Sequence, residues 1–314
     1  MKALVFTSAG VVELLDRDEP TVADGESLLT VQASAICGSE LHGFRSVGFR
    51  TPPLIMGHEF AGTTADGRRV VVNPLLSCGH CTLCARGLPH LCRNRQLIGV
   101  NRDGGFGERV AVPTHALRDI PDDLDWTAAA LIEPLANAVH AWSLIGPNPQ
   151  RVGVIGAGPI GLACALLAAS HGVEVVVSDV SAARRETATS LTLAAVPALT
   201  GEFDGVIDAV GIPITRSSAV ERCRPGGSAV WIGLAADDVS LAGNPIVRGG
   251  KHINGSFAYT PEEFDTAVRL APNLDLAWGT PVPLSESARV FYDLADGTSS
   301  IVKAILVPDA RPDA

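Results

Sequence analysis

RVGVIGAGPIGLACALLAASHGVEVVVSD, residues 151–179, decides how the rest of the chain is read. Its opening apolar run, residues 152–155, is continuous, as in a strand buried on both faces. Gly156-Ala157-Gly158-Pro159-Ile160-Gly161 follows and fits G-x-G-x-x-G, and an Ala/Leu-rich helical segment then runs to about Ser170. A second apolar run, residues 173–177, leads to Asp179. Strand, glycine loop, helix, strand and acidic residue in this order predict a βαβ unit that holds a dinucleotide. Gly156 permits the tight turn, Gly158 lets a pyrophosphate approach the backbone, and Gly161 lets helix and strand pack closely. Pro159 and Ile160 open the helix, whose N-terminus then faces the phosphates.

With 314 residues the chain is long enough for two domains with real cores. A content of 46% hydrophobic and 18% charged residues suits a compact enzyme and argues against disorder. The net charge of −10 disfavours nucleic acid and anionic membrane as partners. Residues 1–6 read as a short strand rather than an export signal, and the apolar stretch at residues 163–169 is too short to span a bilayer. Seven cysteines, four of them clustered, without an export signal point to metal rather than disulfides, and to a reducing cytoplasm.

Residues 1–143 carry short apolar runs at 3–6, 27–33, 57–62, 70–72 and 108–112, broken by Gly and Pro, which predict an irregular antiparallel β domain. A helix is expected over residues 125–142 and a linker over 146–149. Residues 144–272 alternate strand-like and helical patterns, as a parallel sheet requires, with further strands at 205–210, 229–233 and 252–257. A helix at 261–270 starts on Pro261 with Glu262 and Glu263 in its first turn. Residues 273–314 form a tail, with a helix at 285–294 and a last strand at 302–307, that returns to the first domain.

Cys78-x2-Cys81-x2-Cys84-x7-Cys92 has the spacing of four thiolates that turn onto one ion. A closed four-sulfur shell leaves no open position, so the 78–92 lobe is expected to hold a structural zinc. A nucleic-acid zinc ribbon would sit in basic surroundings; Arg86, Arg93 and Arg95 supply local charge, but the chain is acidic. Elsewhere Cys37-Gly38-Ser39-Glu40-Leu41-His42, Gly57-His58-Glu59 and Glu133 set ligand-type residues beside glycines or on a helix. Taken singly, these are a small buried cysteine, a core histidine and a surface charge.

Together, Cys37 to His42, Gly57-His58-Glu59-Phe-Ala-Gly62, the four-cysteine lobe, Glu133-Pro-Leu-Ala136, the glycine loop and Ser300-Ile-Val-Lys303-Ala-Ile-Leu306 form an ordered set. On these blocks the whole chain resembles the zinc-containing medium-chain dehydrogenases/reductases, the zinc alcohol dehydrogenase superfamily, and most of all its polyol (sorbitol) and threonine dehydrogenase branch. The resemblance implies an α/β chain: a GroES-like β-rich catalytic domain plus a Rossmann doubly wound coenzyme domain, with a catalytic zinc in the cleft between them. It implies zinc ligation by Cys37 and His58, with Glu59 either ligating directly or waiting behind the ligands, and Glu133 in the third-ligand position. One coordination position then stays open for an alcohol, whose hydride passes to a nicotinamide. Ser39 and His42 match the family's proton relay; for Ser39 a plain helix N-cap is the competing role.

Asp179 ends the second strand of the βαβ unit, where a carboxylate accepts bonds from ribose hydroxyls and repels a 2′-phosphate. NAD is therefore expected over NADP, with Arg184 and Arg185 close enough to soften the preference. Two segments are shorter than in the family: residues 62–70, and residues 191–205, where a trimmed sheet short of a strand–helix pair is expected. The expected activity is oxidation of a polyol, sugar alcohol, cyclitol or related secondary alcohol by a cytoplasmic homo-oligomer, dimer or tetramer, with two zinc ions per chain. Biosynthetic turnover of an aminocyclitol or ketone by the same chemistry is the alternative, and a silent nucleotide-binding protein of the same fold a weaker one. Phe44, Phe49 and Phe106 are candidates for the substrate mouth or for ordinary packing.

Overall fold

The computed structural model describes residues 1–309. The chain forms two compact units, one of Met1–Glu133, Val268–Pro272 and the described residues from Leu276 onward, the other of Pro134–Ala267 and Asn273–Asp275. The break falls in the first turn of the Ile132–Ser143 helix, so residues 146–149 lie inside the second unit.

In the first unit, the Glu26–Ala35 strand runs between Glu59–Thr64 on one side and Ala304–Val307 on the other, antiparallel to both. Register sets Ala35 opposite both Glu59 and Ile305. The end of this one strand therefore gathers three distant stretches: Cys37 just past it, His58-Glu59 beside it, and Lys303 just before Ala304. Alternate residues of Glu26–Ala35 and of the neighbouring Arg69–Val72 and Arg109–Pro113 strands supply an apolar cluster of Leu29, Val31, Val70, Val72, Val110 and Val112. A second cluster joins Leu4, Phe6, Phe44 and Phe106 to Phe291 of the Ser287–Ala295 helix. All five apolar runs read as strands in this unit are strands, offset by a residue or two. The helix expected over 125–142 is instead two, Trp126–Ala130 and Ile132–Ser143. Pro134 explains the break: its ring would clash with the carbonyl of Ala130 in a continuous helix, but is tolerated in the first turn of a new one.

In the second unit, six parallel strands run in the order Ala194–Val196, Glu174–Ser178, Arg151–Ile155, Phe203–Asp208, Cys223–Trp231, His252–Gly255. The order reverses between Arg151–Ile155 and Phe203–Asp208, the point at which open α/β sheets take ligands at their carboxyl ends. The Pro159–Ser170 helix is buried from Gly161 to Ala168, which is why its sequence is apolar all round. The expectation of a missing strand–helix pair is corrected here. All six strands are present, and the shortening falls on residues 197–202, which connect two strands without a helix. This link lays Leu199 against the sheet at Gly153, where a Cβ would stand 2.7 Å from Leu199 Cδ1. A glycine in mid-strand thus makes room for the crossing chain. Among the described residues no helix is long and apolar enough to cross a membrane.

Candidate active site

Cys37 caps the N-terminus of the short Gly38–Gly43 helix in an extended conformation. Across the sheet edge, Gly57 takes a φ of +96°, and a Cβ there would stand 2.5 Å from the Phe106 ring. Only glycine makes this turn, which delivers His58 and Glu59 to the same place. One ligand atom each from Cys37, His58 and Glu59 lies within 4.8 Å of the others. His58 and Glu59 are buried and Cys37 half-buried.

Glu40, with no exposed surface, organises this trio. Its Oε2 accepts the Cys37 N–H at 2.9 Å, and its Oε1 accepts the Gly57 N–H at 3.0 Å and lies 2.9 Å from His58 Nδ1. With Nδ1–H donating to that carboxylate, Nε2 keeps its lone pair for a cation. Burial pushes the Glu40 carboxyl up, but His58, Arg50 and the Cys37 N–H outweigh it and hold it below the usual carboxylate range. Burial also pushes His58 down, yet the charges of Glu40 and Cys37 leave it well above an ordinary histidine. Without a cation, this site favours a proton on the imidazole, the mark of a negative pocket made for positive charge.

Lys303 supplies a second fixed contact. Its Nζ lies 2.5 Å from Glu59 Oε2, with both side chains buried. Burial pulls the ammonium down, but Glu59 and Cys37 raise it above the usual lysine range, so it stays charged and anchors Glu59. Neither Glu40 nor Lys303 carries a mark of this role in the sequence. Glu40 lay in the quoted Cys37–His42 block and Lys303 in the last-strand block, but nothing local marks either as a partner of His58 or Glu59.

A cysteine sulfur, an imidazole and a carboxylate, with no fourth His, Cys, Asp or Glu grouped with them among the described residues, make an open donor set of the kind zinc takes at reactive sites. Glu133, the expected third-position ligand, is buried in the first turn of Ile132–Ser143 but lies outside the three-residue group. Ser39 and His42 are both exposed on the Gly38–Gly43 helix, and the N-cap position belongs to Cys37, not Ser39. Of the three phenylalanines considered for the mouth, Phe44 and Phe106 are core residues, whereas Phe49 is exposed.

The four lobe cysteines also converge. Sulfur–sulfur distances are 3.5 Å for Cys81–Cys84 and Cys92–Cys78, 3.7 Å for Cys81–Cys92 and 4.0 Å for Cys78–Cys84. None is a disulfide. A tetrahedron with metal–sulfur bonds of about 2.3 Å has edges of about 3.8 Å, so the four sulfurs fit a single zinc. The Cys84 N–H brings Cys81 down to about 6, so a thiolate is available at neutral pH, while burial pushes Cys84 up to about 11. Such mixed demands are resolved when a cation takes all four as thiolates.

In the second unit, Gly156 turns with a φ of +100°. A Cβ on Gly161 would run into the Gly156 carbonyl, whereas at Gly158 the same position is open space. Helix-to-loop packing therefore uses the first and third glycines, and the second leaves a bare approach to the N-terminus of Pro159–Ser170, which has no side-chain cap. The uncapped N–H groups there suit a phosphate. Asp179 is held at the same corner: Oδ2 accepts the Ala157 N–H and Oδ1 the Ser181 N–H, each at 2.8 Å. Each oxygen keeps a further lone pair for a ribose hydroxyl. Arg184 reaches within 3.7 Å of Asp179 Oδ2, and Arg185 donates to the Asp179 carbonyl.

Residues 23–122 match the family model of the alcohol dehydrogenase GroES-like domain, and residues 159–273 that of the zinc-binding dehydrogenases. The chain is 34% identical to L-galactonate-5-dehydrogenase of Escherichia coli K12 over 281 residues, 81% of this chain and 82% of that one. Among solved structures, a zinc-binding dehydrogenase from Sinorhizobium meliloti bound to NADP has a TM-score of 0.91 and 28% identity, over 98% of this chain and 99% of that one. An alcohol dehydrogenase from E. coli CFT073 complexed with NADH has a TM-score of 0.89 and 26% identity over the same shares.

Proposed function

The chain belongs to the zinc-containing medium-chain dehydrogenase/reductase family, and from that premise we propose that it oxidises a hydroxyl-rich secondary alcohol with NAD, using one zinc at Cys37, His58 and Glu59 and a second, structural one in the cysteine lobe. The observation that carries the reading is the convergence of Cys37, His58 and Glu59 into one open donor set, with His58 fixed by Glu40 and Glu59 by Lys303.

Zinc bound there would act as a Lewis acid that makes an alcohol hydroxyl acidic near neutral pH. The chain's own residues do the rest. Glu40 fixes the imidazole and the Cys37 backbone, so that two donors keep their geometry without reorganisation. Lys303 balances one of the carboxylates, which limits the negative charge the site presents. Ser39 carries the alcohol's proton toward His42, an exposed histidine suited to release it to water. Glu133 lies outside the donor trio and is read as a contact for substrate hydroxyls rather than as a fixed ligand. The glycine loop and the first turn of Pro159–Ser170 hold the pyrophosphate, and Asp179 holds the adenosine ribose through its free lone pairs, which favours NAD over NADP. L-galactonate-5-dehydrogenase acts on a polyhydroxy acid by its name, and a polyol or sugar acid is the substrate class that its similarity supports here.

The test is turnover. Zinc-loaded protein is incubated with NAD or NADP and a panel of polyols, sugar acids, cyclitols and simple secondary alcohols, and reduced coenzyme is followed by absorbance. Reduction of NAD by hydroxyl-rich members of the panel is expected. No reduction with any member, in protein shown to carry both metals, would reject the enzymatic reading.

A further inference from the structure

Arg50 is the largest of the fully buried side chains. A guanidinium stays charged at any working pH, and burial without an anionic partner is costly. The buried Glu40 carboxylate feels its charge, but among the described residues no carboxylate comes within ion-pair distance of it, and its Nε has no hydrogen-bond partner. Its two terminal nitrogens go to one residue: Nη1 donates to the Ser39 carbonyl at 3.1 Å, and Nη2 lies 3.5 Å from Ser39 Oγ. The surroundings are cut to fit. A Cβ on Gly43 would collide with Nη1, and the exposed Phe49 ring covers the guanidinium with its centroid 5.2 Å from Cζ.

A hydroxyl has one proton and two lone pairs. With one lone pair facing Arg50, the O–H and the second lone pair of the exposed Ser39 are left to face outward. We propose that Arg50 is the positioning residue of the Ser39 hydroxyl, orienting it for proton transfer and stabilising the partial negative charge that Oγ takes on as it passes a proton along. This rests on the reading of Ser39 as proton carrier. In the step, the alcohol's proton arrives at Oγ as the hydroxyl's own proton leaves for the next acceptor, so the serine is unchanged at the end and Arg50 neither gains nor loses a proton. Beside its charge interaction with Glu40 and its bond to the Ser39 carbonyl, the buried guanidinium thereby has a function as well as a packing role.

A double-mutant cycle on zinc-loaded enzyme tests this, using NAD and the panel alcohol turned over fastest. Arg50→Met is expected to lower kcat about 10- to 100-fold, the usual cost of losing a group that orients a reacting one. KM, bound zinc, NADH affinity by fluorescence and melting temperature should stay close to those of the parent, and the solvent deuterium isotope effect on kcat should rise. In a Ser39→Ala background, Arg50→Met should cost nothing more, and Arg50→Lys alone should recover part of the rate. Losses that multiply across the two sites would overturn the proposal, as would an Arg50→Met protein whose whole defect is lost zinc or early melting. A Ser39→Ala enzyme with full kcat would instead remove the proton-carrier reading beneath it. Should Arg50→Met not fold, Arg50→Lys decides: a raised solvent isotope effect supports positioning, and an unchanged one with unchanged kcat refutes it.

Discussion

At Glu40 a single carboxylate makes three contacts, to the Cys37 N–H, the Gly57 N–H and His58 Nδ1. Two of its partners belong to different stretches of chain, so its loss loosens the metal site from both sides. Glu40→Gln keeps the volume but removes the charge that sets the His58 tautomer. We expect zinc at this site to bind about 10- to 100-fold more weakly, measured by competition with a chelating dye, while the lobe zinc is retained. Unchanged affinity would mean that Cys37 and Glu59 alone set the geometry. The same residue shows what can be read from sequence. Cys37, His58 and Glu59 are legible because ligand chemistry demands those residue types next to glycines. Glu40, Lys303 and Arg50 are not, because a buried charge takes its meaning from its partner. Those partners are made neighbours only by the pairing of Ala35 with Glu59 and Ile305 and by the loop that folds Arg50 back onto Ser39.

Among the elements, the glycine loop and its helix are legible in the sequence: the helix runs Pro159–Ser170 and the following strand Glu174–Ser178, within a residue of the pattern. What the pattern did not reveal is that Asp179 fixes the loop itself through the Ala157 N–H, because this bond depends on the side chain turning toward the loop. Nor did it reveal where the shortened segment loses structure. Ala194–Val196 is a strand too short for a clear alternation, and the crossing at Leu199 depends on the facing Gly153. Helix-to-loop contact gives a sharp prediction. Gly161→Ala puts a methyl into the Gly156 carbonyl and must push the helix N-terminus away from the loop. Overpacking of this kind costs about 1–3 kcal/mol. We therefore expect a lower melting temperature and, more tellingly, loss of NADH binding by fluorescence titration, with zinc content unchanged. An alanine variant that binds NADH as before would show that the phosphates are held elsewhere.

For the molecule as a whole, the two proposed metal sites, of opposite design, predict two separable losses on metal removal. The Cys37, His58 and Glu59 set gathers three donors among the described residues, which would leave a bound zinc a coordination position for substrate. The lobe brings four sulfurs within 4.8 Å of one another, four of the pairs at 3.5–4.0 Å, and so offers a closed shell. A small chelator can enter the first coordination sphere only where a position is vacant, whereas a closed shell must open before it can be attacked. Structural zinc is also bound up with folding, so its removal waits on local unfolding of residues 78–92. Treatment with a small chelator such as dipicolinate should therefore release one zinc per chain quickly, abolish turnover, and leave melting temperature and NADH binding nearly unchanged. The second zinc should leave only under denaturant or after thiol modification, and the melting transition should fall with it. Elemental analysis and thermal melts taken through the same time course separate the two. Release of both metals in one phase, or loss of fold with the first, would contradict the division between an open reactive site and a closed structural one.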